Sequence, residues 1–148
     1  MIGPVLSLRI SRRAIGAAVL SDESFSFIDS RHLASNRSRA VPAAMRYLNS
    51  VLEQTQPRAV VIDAPTHPGS TSDQIVASLK QSVTVESVSL AELLTAFGWP
   101  ALATRSELRR VMSTMVPQLT DRRGAASAYV LDAGSLAMYA EAMSSLRG

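Results

Sequence analysis

Three charged residues stand where the surrounding sequence is apolar. Arg9 lies in "LSLRI", Asp63 closes the run "AVVID", and Asp132 follows "YVL" in a stretch that reads as one long apolar helix. A charge withdrawn from water needs a counter-charge or several hydrogen bonds, so each residue is a candidate for a site. Carboxylates can hold a divalent cation, move a proton, or grip a guanidinium. Plainer readings stay open beside these. Arg9 can be a surface arginine on an edge strand, Asp63 a carboxylate capping the loop Thr66–Thr71, and Asp132 a solvent-facing helix residue.

Arginine supplies all but one of the basic side chains, Lys80 being the only lysine. It stays charged and binds carboxylates or phosphates through a planar fork. The candidate phosphate contacts are Arg12, Arg13, Arg105, Arg109, Arg110, Arg122 and Arg123, with a further group at Arg31, Arg37 and Arg39. Arg105 and Arg109 share a helix face at spacing i, i+4, read as lying opposite the apolar stripe Leu108, Val111, Met112, Met115 and Leu119. Such a face serves phosphate binding or simple solvation. Aromatic residues are few and mostly at apparent core positions, which speaks against a base-stacking platform.

Other candidates are weaker. His67 and His32 lie too far apart in sequence to suggest a ligand pair. Gly69–Ser72 precedes a helix but lacks the lysine and glycine spacing of a phosphate-binding loop, so capping is the stronger reading. Glu86 reads as an exposed strand residue. The turn Phe97–Leu102 is a candidate apolar contact surface, with Trp99 alternatively part of the core.

The chain has 148 residues, 47% of them hydrophobic and 18% charged, with a net charge of +3 and no cysteine. These values suit one globular domain spanning 1–148 and exclude disulfides and thiolate metal sites. The charge permits nucleic-acid binding without demanding it. No uncharged apolar run reaches the roughly 18 residues of a membrane span, and no basic-then-apolar leader opens the sequence. The expected location is the cytoplasm, with no membrane partner.

The elements that must position these residues follow from periodicity and punctuation. Val5–Ile10 and Ala14–Leu20 form a hairpin about Ser11-Arg12-Arg13. Phe25–Ile28 is a third strand, and the polar segment Arg31–Ala40 is a loop. A helix follows, with Pro42 in its first turn, Val41, Met45, Leu48 and Leu52 on one face, and Pro57 beyond its end. "RAVVIDAP" is a strand covered on both faces. Ser72 caps the next helix, and "VTVESV" is another strand. Ser89–Glu92 and Thr104–Glu107 have capping-box spacing before two further helices. Ala125–Leu146 is the last helix. Three strands followed by alternating helices and strands predict a mixed α/β sheet.

The hairpin "LSLRISRRAIGAAVLSD" resembles the opening of the RuvC-like and YqgF-like branch of the ribonuclease H-like superfamily. Ile15, Gly16, Ala18 and Val19 match its second strand. "AVVIDAP" sits where that family ends a strand in an acid, at Asp63, and "VLDAGSLAMYA" resembles the helix that carries its last acid, at Asp132. The resemblance implies a ribonuclease H-like fold, a five-stranded mixed sheet flanked by helices. It also implies acidic residues holding two divalent cations, one activating water and the other stabilising the leaving oxygen.

Arg9 departs from that pattern, because the family places its first acid at this point. Ser7 and Ser11 also replace the small glycines around it. Unit charges about 4 Å apart at an effective dielectric near 20 interact by roughly 4 kcal/mol, so a guanidinium there opposes cation binding. The expectation is a catalytically degenerate domain binding a protein, a second copy or a nucleic acid. Arg9 would occupy the metal's place against Asp63, Asp132 or both, and no cofactor would bind. The alternative is a magnesium- or manganese-dependent nuclease in which Asp22, Asp29 or Glu86 substitutes for the missing acid. A single half of an actin-like or sugar-kinase-like ATPase is a further fold alternative.

Overall fold

The computed structural model describes residues 4–64, 68–120 and 127–147. Five strands form one sheet in the order β3-β2-β1-β4-β5. They are β1 (Val5–Ile10), β2 (Ala14–Ser21), β3 (Ser24–His32), β4 (Ala59–Asp63) and β5 (Val85–Ser87). The first three pair antiparallel, while β4 and β5 run parallel to β1, giving the mixed sheet expected. The helices are α1 (Arg37–Thr55), α2 (Thr71–Lys80), α3 (Leu90–Ala96), α4 (Arg105–Met115) and α5 (Ser127–Arg147).

Strand alternation divides the core in two. On one face, Leu6, Leu8 and Ile10 of β1 pack with Ala44, Leu48 and Val51 of α1 and Ile75 and Leu79 of α2. On the other, Val61 of β4 joins Leu93, Leu108, Met112, Val130 and Leu136 beneath α3, α4 and α5. Ser7 and Arg9, the odd residues of β1, belong to this second face. Among the described residues no helix is long and apolar enough to cross a membrane.

Several boundaries differ from expectation. β3 continues to His32, so the polar segment after Ile28 is the end of an edge strand rather than a loop. Edge strands tolerate and often prefer charge, which hides them from apolar-pattern reading. α1 begins at Arg37 because Asn36 caps it, its side chain accepting from Ser38 N–H at 2.9 Å. Pro42 therefore lies inside the helix rather than in its first turn. It is exposed, as is Ser38, whose carbonyl it deprives of a helical N–H donor.

Ser70, not Ser72, caps α2 by accepting from Asp73 N–H, and Ser72 is buried in the first turn. α4 stops at Met115, which is half exposed, and Leu119 reaches the core from a separate 3-10 turn. Trp99 is fully exposed rather than core. The Ser89–Glu92 capping box forms as expected, with both reciprocal bonds present.

Candidate functional site

The parallel β1–β4 register makes Arg9 and Asp63 direct neighbours at one end of the sheet. On its other side Arg9 faces Gly16 of β2. A Cβ at Gly16 would overlap the Tyr129 carbonyl, so only glycine lets α5 lie directly on β2 here. One helical turn beyond Tyr129, Asp132 is lowered onto β1 and is fully buried. Hairpin, strand end and final helix thus bring Arg9, Asp63 and Asp132 together.

Two residues of α4 complete the cluster. Arg105 grips Asp63 with both nitrogens of its fork, Nη1 to Oδ2 at 2.8 Å and Nη2 to Oδ1 at 3.2 Å. Arg109 grips Asp132 the same way, Nε to Oδ1 at 2.8 Å and Nη2 to Oδ2 at 2.7 Å. Arg9 lies between the two carboxylates, its Nε 3.4 Å from Asp132 Oδ2 and 3.9 Å from Asp63 Oδ2. That Nε is buried and has no hydrogen-bond partner; Nη1 donates to the Ile10 carbonyl at 2.9 Å. Both Arg9 and Arg109 also approach the Tyr129 ring, at 5.8 and 5.5 Å from its centroid.

Three guanidiniums against two carboxylates leave a net positive charge. Burial holds Arg9 below the usual arginine range, and neighbouring Arg105 pushes it the same way. Arg109 moves upward because Asp132 accepts its hydrogen bonds. Both remain cations at neutral pH. A magnesium ion would need carboxylate oxygens free to coordinate. Here both carboxylates are forked by guanidiniums, and a third guanidinium lies between them. Among the described residues no group of three or more acids or histidines could hold a metal. This donor set does not suit the two-cation site implied by the resemblance.

The remaining candidates are dispersed. Asp22 sits in the β2–β3 turn, at the end of the sheet away from Arg9. Asp29 accepts from Tyr47 of α1 at 2.9 Å and so serves the opposite face. Glu86 is exposed on β5, as expected. Arg12 and Arg13 are exposed at the hairpin turn, and Arg110 is exposed on α4. His67, Arg122 and Arg123 lie outside the described residues.

The placement of Arg105 and Arg109 on a face opposite the apolar stripe is corrected. At 100° per residue they stand beside Leu108 and Met112, so packing those residues turns both arginines inward. Their side chains are only 18% and 28% exposed. Their role as partners of Asp63 and Asp132 was missed, although the i, i+4 pair flanking a buried stripe was a usable signal.

The sequence matches no protein-family model and no curated protein. The fold is similar to that of Thermus thermophilus RuvC in complex with Holliday junction substrate, at TM-score 0.67 and 13% identity over 92% of this chain and 91% of that one. It is also similar to the yeast mitochondrial Holliday junction resolvase, at TM-score 0.58 and 8% identity over 90% and 75% of the two chains. Fowlpox virus resolvase in complex with Holliday junction DNA aligns at TM-score 0.54 and 11% identity over 95% and 98%. The chain has the ribonuclease H-like fold in its RuvC-like form.

Proposed function

We propose that this chain is a non-catalytic RuvC-like domain that binds nucleic acid, with Arg9 locking the place where the resemblance puts metal ions. The observation that carries this reading is the occupancy of both carboxylates. Asp63 and Asp132 are each held by the fork of a separate arginine, with Arg9 Nε between them. Neither acid has the free charge that two-metal phosphodiester cleavage requires, and no cofactor is needed for the proposed role.

Nucleic-acid binding is supported by the fold and by exposed arginines. Two of the similar structures are complexes with Holliday junctions, which makes a four-way DNA junction the first ligand to test. Arg12, Arg13 and Arg110 are exposed and supply phosphate contacts. Arg105 and Arg109, bound to carboxylates, contribute charge more than hydrogen bonds.

Fluorescence anisotropy with a junction and a duplex, over a range of salt, tests the reading. Affinity should fall with salt and need no divalent cation. Arg12→Ala or Arg110→Ala should each lower the log–log salt slope by about 1. No strand should be cut in magnesium or manganese. Metal-dependent cleavage abolished by Asp63→Asn would instead establish the nuclease alternative.

A protein contact through the Phe97–Leu102 turn is a second reading, favoured by the full exposure of Trp99. Solution mass against concentration, compared with Trp99→Ala, tests it.

A further inference from the structure

A separate cleft of 680 Å³ opens beside the arginine–aspartate cluster, between the β1–β2 turn, the end of β3 and the starts of α1 and α2. Its polar walls are Arg12, Arg13, His32, Ser35, Thr71 and Tyr129. Among the described residues no carboxylate lines it. The nearest acid in α2, Asp73, is engaged by the Gly69 N–H at 3.0 Å. Arg12 and Arg13 make no ion pair with any described residue.

Ser11 fixes the turn that presents these arginines. Its hydroxyl donates to the Ala14 carbonyl and accepts from the N–H groups of Arg13 and Ala14, all within 3.2 Å. Tyr129 is the wall shared with the neighbouring cluster, and Arg9 and Arg109 lie against its ring. The cleft therefore has two cationic groups that pair with no described residue, a histidine, and hydroxyls able to donate.

We propose that this cleft binds a phosphomonoester, free or at the end of a nucleic-acid strand. A phosphomonoester carries about −1.5 to −2 at neutral pH, which matches Arg12 and Arg13, whereas a bridging diester carries one charge. The cleft shares Arg12 and Arg13 with the proposed nucleic-acid contacts, and its strand-end form rests on that reading.

Two sets of probes test it. Inorganic phosphate and a nucleoside 5′-monophosphate are titrated by NMR against a chloride control, and a single-stranded oligonucleotide is compared with and without its 5′-phosphate by anisotropy. The phosphorylated strand should bind at least about tenfold more tightly, and Arg12→Ala or Arg13→Ala should remove the difference. Equal affinity for the two strands, with no shift of Arg13 or His32 signals by phosphate, overturns the cleft while leaving salt-dependent junction binding standing. Arg13-dependent binding of phosphate and mononucleotide, with no binding of any oligonucleotide or junction, supports the cleft as a free-phosphate site and overturns the nucleic-acid reading.

Discussion

Asp63 is the register neighbour of Arg9, yet its carboxylate is held more closely by Arg105, at 2.8 Å against 3.9 Å from the Arg9 Nε. Asp132 likewise takes its hydrogen bonds from Arg109. Arg9 is thus the cation of the cluster whose loss orphans neither carboxylate. Replacing a buried charge with an apolar side chain of similar length is often neutral or stabilising when the remaining charges stay paired. Arg9→Met should therefore change stability by less than about 1 kcal/mol, or raise it, in urea denaturation. A loss of about 3 kcal/mol would show Arg9 to be an essential counter-ion.

The opposite holds for Asp132, which is fully buried and faces both Arg109 and Arg9. Asp132→Asn leaves two guanidiniums without their shared carboxylate. The expected cost is about 3–5 kcal/mol, read from the same denaturation curves.

Gly16→Ala tests the close approach that lowers α5 onto the sheet. Its Cβ would overlap backbone rather than a movable side chain, so α5 must shift. A loss of about 3 kcal/mol is expected, with changed NMR signals at Tyr129 and Asp132. An unchanged melting temperature would contradict this packing.

The capping box at Ser89 provides a pH test. Hydrogen bonds from the Ser89 backbone and side chain hold the Glu92 carboxyl below its ordinary value of 4.5. A depressed folded-state pKa means that the unfolded chain binds more protons in that window. The stabilisation is fully present above the unfolded value and is lost as pH falls through the lower folded value. Ser89→Ala should lower the melting temperature at neutral pH and flatten its fall between about pH 5 and pH 3.

Much of this architecture was legible where local chemistry and tertiary demand agree. The apolar alternation of β1, the buried run of β4 and the Ser89–Glu92 box all appear where their residue patterns place them. The meeting of Arg9, Asp63 and Asp132 was also expected, although through the resemblance rather than from spacing. The end of β3 was hidden because an edge strand need not be apolar, and the start of α1 because Asn36 was read as part of a loop. Arg105 and Arg109 are different: at 100° per residue they flank Leu108 and Met112 rather than oppose them, but which carboxylate each one meets depends on how α4 rolls against α5. Helical spacing alone does not reveal that roll.

Guanidiniums, not metal ions, fill the space between Asp63 and Asp132. An NMR titration of the unmodified chain with Mn²⁺ tests it without any variant, since bound manganese broadens nearby amide signals. No selective broadening of Arg9, Asp63 or Asp132 is expected up to millimolar Mn²⁺. Their disappearance ahead of all other signals at substoichiometric Mn²⁺ would contradict it.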